Sequence, residues 1–130
     1  MRAVKGRDTA PEMIVRRLAH GMGYRFRLHR KDLPGKPDLV FPRLRKVLFV
    51  HGCFWHGHDC ARGARVPVQH RDYWMAKIAR NKERDARTRQ ALKALGWSSL
   101  ALWECQLKDA GVTAKTIKRF LGRTRPANLR

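Results

Sequence analysis

The sequence predicts an α/β protein in which helices cover a mixed sheet, and three observations carry that expectation. Segments with helical periodicity and segments of strand-like character follow in the order helix, three strands, helix, strand, helix. The run Lys46-Val-Leu-Phe-Val-His51 is apolar through its middle and turns at Gly52, the pattern of a buried strand that delivers its end to a site. At 130 residues the chain is long enough for one core but not two. Residues 1–130 are therefore expected to form a single domain, with 1–8 a basic N-terminal arm and 123–130 a basic tail.

Thr9-Ala-Pro-Glu12 has the form of a capping box, with Thr9 as N-cap, and Pro11 is tolerated because first-turn amides lack intrahelical partners. Ile14, Leu18 and Met22, with Val15 alongside, give the first helix an apolar stripe that ends near Gly21 or Gly23. Tyr24-Arg-Phe-Arg-Leu28 alternates and reads as a strand with its arginines on one face. Leu33 to Pro37 is a turn, and Asp38-Leu-Val-Phe41 is a short strand led by a carboxylate. Arg43 to Lys46 connects a hairpin into the strand Val47–His51. After a connector from Ala61 to His70, a long helix is expected from about Asp72 to Leu95, stopped by Gly96, with Leu92 and Leu95 as core residues. Trp74, Ile78, Asn81 and Asp85 recur on one stripe of this helix with Lys77 beside them. An aromatic, an amine, an amide and a carboxylate on one stripe suit a working face better than a packing face. Trp97 to Trp103 is another strand, running into Glu104-Cys105. A last helix through Leu121 is expected to be capped by Thr113, with Val112 as a hydrophobic staple.

Thirty Lys and Arg against 10 Asp and Glu leave a charge of +20, which points to a polyanionic partner, nucleic acid first. No apolar run approaches a membrane span and no signal-peptide core opens the chain, so no membrane association is expected. Three cysteines cannot all pair, which favours metal ligation in a reduced compartment, with the cytosol as expected location.

The loop after His51 concentrates chemistry. Cys53, Cys60 and the distant Cys105, with one histidine, would make a closed three-thiolate, one-imidazole set typical of structural zinc. His56 and His58 are both close enough in sequence to be the fourth ligand, and buried unligated thiols are the plainer alternative. Phe54 and Trp55 would then be large apolar side chains on a stapled loop. A second metal reading starts from Asp38, whose carboxylate adjacent strands would bring beside the Val50 carbonyl. Such hard oxygen ligands suit magnesium, with His51 or His56 near enough to take a proton from an attacking water.

Leu33-Pro-Gly-Lys-Pro-Asp38 followed by Phe49-Val-His-Gly-Cys-Phe-Trp-His-Gly-His-Asp-Cys60 closely resembles the very short patch repair (Vsr) DNA mismatch endonucleases. Met1 to Thr9, the Tyr73-Trp74 to Asp85 helix and the Gly96-Trp97 to Cys105 strand are similar to that family too. The resemblance implies a restriction-endonuclease-like fold in which Pro37-Asp38 survives while Phe49-Val50-His51 stands in place of the usual Glu-x-Lys. It implies a catalytic Mg2+ on Asp38 and the Val50 carbonyl, with Glu12, His51, His56 and Asp85 completing the catalytic set. It also implies a structural Zn2+ on Cys53, His58, Cys60 and Cys105, which leaves His56 for chemistry. Phe54, Trp55 and Trp74 match positions that wedge into DNA beside a mismatch, and Lys77 and Asn81 match positions that read the mispaired bases. The implied reaction is a nick 5′ to the thymine of a T:G mismatch left by deamination of 5-methylcytosine. The implied partners are double-stranded DNA, with functional links to a DNA cytosine-5 methyltransferase and mismatch-repair proteins. A monomer suffices for a nick, and a bacterial cytoplasmic protein that joins the nucleoid when bound to DNA is expected.

Overall fold

Alternation along the strands sorts the core into two layers, one on each face of a four-stranded sheet. The computed structural model describes residues 9–28, 30–58, 60 and 66–122; the basic arm 1–8, residues 61–65 of the connector and the tail 123–130 lie outside them. The elements are α1 (Ala10–Gly21), β1 (Arg27–Leu28), β2 (Leu39–Phe41), β3 (Lys46–His51), α2 (Arg71–Ala94), β4 (Ser98–Trp103), a 3-10 turn (Glu104–Lys108) and α3 (Ala110–Leu121). Leu39, Phe41, Leu48 and Leu102 pack on one face against Val15 and Ala19 of α1 and Ile117 and Leu121 of α3. Val40, Val47 and Phe49 pack on the other against Leu33 and Leu92 of α2. Successive side chains point to opposite faces of a strand, so both layers draw on the same short segments.

The strands lie in the order β1-β2-β3-β4, with β1–β2 and β2–β3 antiparallel and β3–β4 parallel. A parallel pair needs a crossover, and α2 supplies it. The pairing runs from Lys46 opposite Ser98 to His51 opposite Trp103, so both strands end together and both following segments start from one edge of the sheet. Open α/β sheets bind ligands at such carboxyl ends. Among the described residues no helix is long and apolar enough to cross a membrane.

The helix boundaries follow local chemistry. The Thr9 hydroxyl accepts the Glu12 amide at 3.3 Å and α1 ends at Gly21. Its buried side is Val15 and Ala19, with Leu18 and Met22 at the margin; Ile14, expected on the stripe, is 36% exposed. α2 matches its expected span within a residue, yet Ile78 and Leu92 are its only buried residues, and Leu95, read as core, lies past the helix and is 55% exposed. The strand expected over Tyr24–Leu28 keeps its alternation, with Tyr24 and Phe26 on the core and Arg25 and Arg27 exposed, but pairs with β2 only at Arg27 and Leu28.

The start of α3 differs from expectation. Asp109 caps it by accepting the Val112 amide at 3.0 Å, so the helix begins at Ala110. Thr113 is buried inside the first turn, its hydroxyl shared between the carbonyls of Gln106 and Asp109, and Val112 is exposed and staples nothing. A carboxylate three residues ahead of a free amide satisfies it and starts the helix one turn earlier. The far end of α3 is tied to the sheet side by Tyr24, whose hydroxyl donates to the Gly122 carbonyl, and by Lys46, whose ammonium donates to the Phe120 carbonyl.

One close approach fixes the turn before β2 against α2. Gly35 has φ of 76°, and a Cβ there would stand 2.4 Å from the Thr88 methyl and 3.2 Å from the Phe49 ring. Gly35→Ala is therefore expected to destabilise the protein by about 1–3 kcal/mol, from backbone strain and the displaced contact together. Gly21→Ala, with nothing within 4 Å of its Cβ, is the matched control and is expected to be neutral or slightly stabilising. Denaturant unfolding of the two variants checks the contrast.

Candidate active site and metal centre

The chain turns back on itself directly after β3. The His56 amide donates to the Gly52 carbonyl at 3.2 Å and the His58 amide to the Cys53 carbonyl at 3.0 Å, closing residues 52–58 into a compact loop. This fold-back lays the His56 ring on the His51 ring, centroids 3.8 Å apart and planes within 1°. α2 holds the loop from the other side. His56 Nδ1 lies 2.7 Å from Asp85 Oδ2, and the Asn81 amide donates to the Trp55 carbonyl at 2.8 Å. The working stripe of α2 is thus the side that clamps this loop.

Cys53 is buried and Cys60 and Cys105 are half-buried, and none of the three is in a disulfide. The ligand atoms of Cys53, His58, Cys60 and Cys105 all lie within 4.8 Å of one another, and Cys105 Sγ to His58 Nδ1 is 3.5 Å. With metal–sulfur bonds near ~2.3 Å and metal–nitrogen bonds near ~2.0 Å, the edge of a tetrahedral shell is roughly 3.5 Å. The Cys105 amide also donates to Cys53 Sγ at 3.4 Å, a contact that favours a thiolate. Burial pushes the Cys53 thiol up to about 12, and the neighbouring thiols add to that, so the cluster calls for a bound cation before it ionises. The set fits zinc, it takes His58 rather than His56, and it ties the loop after β3 to the end of β4.

The second chemical centre lies in a cleft lined by Glu12, Asp38, Val50, His51, His56 and Asp85, among others. Asp38 Oδ2 accepts the Val50 amide at 2.7 Å. The Val50 carbonyl was expected beside this carboxylate; the Val50 amide bonds it, and the carbonyl leaves the strand toward the same edge because both groups of one residue do. The Glu12 carboxyl meets that of Asp38 and also pairs with Arg16 at 3.1 Å. Burial lifts the Asp38 carboxyl to about 7, Glu12 beside it pushes further in that direction, and the Val50 amide and Arg16 pull against both. A buried carboxyl in contact with a half-buried one is a fitting cradle for a hard divalent cation, which would relieve their repulsion.

His51 is held low, at about 4, by burial first and then by the charge of His56, with Asp85 opposing and Arg89 adding to the depression. Its Nδ1 is buried without a hydrogen-bond partner among the described residues. His51, His56 and Asp85 also stand close enough to suggest a metal site. Parallel stacked imidazoles, however, aim their lone pairs along parallel planes, so the geometry suits proton handling instead.

Phe54, Trp55 and Trp74 form a half-buried cluster with centroid separations of 5.1–5.8 Å, and Lys77 Nζ lies 5.6 Å from the Trp55 ring centre. Trp55 also lines the cleft, whereas Phe54, Trp74, Lys77 and Asn81 stand outside it. Four contributors escaped the sequence reading. Arg16 is four residues after Glu12 on α1, a spacing that signals the pair. Trp103 stacks on His58 at 4.2 Å and meets His51 edge-on at 5.1 Å, forming a floor common to both centres. Its only sequence signal is that strand pairing sets it opposite His51. Lys36 and Arg89 also line the cleft.

The Asp38 carboxyl gives a pH signature. Its folded value of about 7 lies above the ordinary 3.8, so between roughly pH 4 and 7 the folded chain keeps a proton that the unfolded chain releases. Its contribution to stability therefore falls as pH rises through that window. In magnesium-free buffer Asp38→Asn is expected to melt several degrees above the unsubstituted protein at pH 8, with the gap closing by pH 4.5. Thermal melts across that range measure it.

The family model described as DNA mismatch endonuclease Vsr matches residues 1–62. The chain is 52% identical over 121 residues to the type II nicking enzyme V.XorIIP of Xanthomonas oryzae, covering 93% of this chain and 88% of that protein. It is 45% identical over 108 residues to the DNA mismatch endonuclease Vsr of Escherichia coli, covering 83% and 69%, respectively. To the type II nicking enzyme V.NmeAIP of Neisseria meningitidis it is 36% identical over 121 residues, covering 93% and 86%. The matches run through the strand-end loop, the carboxylate pair and the clamping helix, and on them the chain belongs to the Vsr family of DNA endonucleases.

Proposed function

We propose that the protein is a magnesium-dependent mismatch endonuclease of restriction-endonuclease-like fold that nicks the thymine strand of a T:G pair in duplex DNA. The observation that carries this reading is the meeting, in one cleft, of the Glu12–Asp38 carboxyl pair with the His56–Asp85 pair, beside an aromatic cluster. Glu12, Asp38 and the Val50 carbonyl would hold the magnesium ion, which when bound supplies positive charge to the scissile phosphate.

The side chains divide the remaining work. Asp85 fixes the His56 ring through Nδ1, leaving Nε2 to take a proton from a water, and stabilises the imidazolium that results. The water oxygen bonds to phosphorus in line, the P–O3′ bond breaks with its electron pair going to O3′, and a solvent proton completes the 3′-hydroxyl. A 5′-phosphate remains on the other fragment. His51, held neutral at pH 7 by burial, fills the space behind His56 without competing for that proton.

Phe54, Trp55 and Trp74 are proposed as the wedge that enters the stack beside the mismatch, and Lys77 and Asn81 as the groups that meet the mispaired bases. Separating a base step costs a few kcal/mol, less at a mispair, so a wedge favours mismatched DNA. The charge of +20 supplies sequence-independent phosphate attraction. A lesion left by deamination of 5-methylcytosine links the activity to a cytosine-5 methyltransferase and to mismatch repair, and one site per chain is consistent with a monomer. Several relatives are named type II nicking enzymes, which favours a second reading: sequence-directed nicking with no mismatch required.

Labelled duplexes differing in one central pair, T:G or C:G, in several flanking contexts and with or without magnesium, separate these readings. Magnesium-dependent nicking of the thymine strand of T:G alone is expected, with His56→Ala or Asp38→Ala lowering the rate by about 100-fold or more. Equal cutting of both duplexes would favour the second reading. No cutting in any context, with salt-sensitive binding retained, would make the protein a binding module.

A further inference from the structure

The catalytic cleft holds positive charge that neither the metal centres nor the proton relay uses. Lys36, in the turn before β2, and Arg89, on α2 one turn beyond Asp85, both line it. Neither side chain has an ion-pair or hydrogen-bond partner among the described residues, although Glu12, Asp38 and Asp85 line the same cleft. Among the described residues the other cations near these acids are engaged, and Arg84, which also lines the cleft, donates to the Asn81 side-chain carbonyl at 3.0 Å. Arg16 is paired with Glu12, and Lys46, the only lysine of β3, is bound to the Phe120 carbonyl at the far end of the strand. β3 therefore brings Val50 and His51 to the cleft but no cation.

The backbones carrying Lys36 and Arg89 are locked together. The preceding residue of each makes the close contact between the turn and α2, Gly35 against Thr88, so the two cations flank one rigid junction. Lys36 itself has φ of 48°, in the left-handed region that a lysine seldom occupies. Its amide donates to the Leu33 carbonyl at 3.2 Å, and Pro37 after it is buried, which fixes the conformation from both sides. A side chain held at such backbone cost beside a reactive carboxyl calls for a use. Arg89 is close enough to His51 for its charge to be felt there, which puts the guanidinium near the histidine pair as well as at the cleft mouth.

We propose that Lys36 and Arg89 form a cationic clamp on the phosphate group at the cleavage position, gripping its non-bridging oxygens opposite the Glu12–Asp38 pair. The inference rests on the endonuclease reading above and names two phosphate-contacting groups for it. Arg89 offers a planar fork that meets two oxygens, and Lys36 a compact point charge, so the pair holds the phosphate in one orientation while negative charge grows on it. Both residues are exposed, as a group that waits for substrate must be.

The test uses Lys36→Gln, Arg89→Gln, Arg89→Lys and the Lys36→Gln/Arg89→Gln pair. Each glutamine substitution is expected to lower single-turnover nicking of a T:G duplex by about 10- to 100-fold, with Arg89→Lys intermediate, and to leave the melting temperature within about 2 °C. Binding to the same duplex without magnesium should lose about one from its salt slope for each residue replaced. A neutral methylphosphonate at the cleavage position should weaken binding by the unsubstituted protein far more than by the double variant, while one placed a helical turn away should weaken both alike. Nicking within about twofold of normal in both glutamine variants would overturn the clamp, as would equal sensitivity of the two proteins to the methylphosphonate at the cleavage position. Failure of the unsubstituted protein to nick would count against the endonuclease reading instead, and the methylphosphonate comparison would still decide the clamp.

Discussion

The return of residues 52–58 onto the end of β3 is the constraint on which the rest of the site depends. One loop must present His56 to Asp85, His58 and Cys53 to the metal centre, and Phe54 and Trp55 to the outside, all within six residues. No regular element can do this, because a strand alternates faces and a helix spreads neighbours around its axis. The loop succeeds by being held at three points: its own turn hydrogen bonds, the Asp85 and Asn81 side chains of α2, and the thiol cluster shared with Cys105. A small protein with little buried area on α2 would gain from a metal on that cluster what a larger core otherwise provides.

The parallel pairing of β3 with β4 makes the staple possible. Because His51 lies opposite Trp103, the residues after each strand start together, and Cys105 reaches Cys53 without a long connection. Trp103 then touches both centres, stacked on His58 of the thiol cluster and edge-on to His51 and His56. The histidines and the aromatic cluster therefore share one loop, with Phe54 and Trp55 directly ahead of His56 and the loop closed by its own hydrogen bonds. Two carboxyls stay in contact at Glu12 and Asp38, an arrangement that raises the Asp38 carboxyl and that a divalent cation would relieve.

Much of this was legible in the sequence, for identifiable reasons. Short continuous apolar runs located β2, β3 and β4 because each strand feeds two packed layers and so is apolar on both faces. The stripe Trp74–Ile78–Asn81–Asp85 stood out as a working face because its residue types are wrong for a core, and in the structure its Asn81 and Asp85 bond the loop after β3 while Ile78 is buried. The choice between His56 and His58 could not be made from spacing, since loop turns rather than sequence distance decide which imidazole meets the thiols. The start of α3 was misplaced because Asp109 and Thr113 are both competent caps and only tertiary packing, which buries Thr113, chooses between them. Lys36 and Arg89 were invisible as a pair: nothing in a sequence signals that a turn and a helix fifty residues apart touch at Gly35 and Thr88.

The separation of labour between His58 and His56 is the central claim, and X-ray absorption at the zinc edge tests it most directly. The unsubstituted protein is predicted to show three sulfur and one nitrogen neighbours, at about 2.3 Å and about 2.0 Å, and His56→Ala should leave that shell unchanged while His58→Ala alters it. Two nitrogen neighbours in the unsubstituted protein, or a shell that changes with His56→Ala, would place His56 on the metal and contradict its assignment to the proton relay.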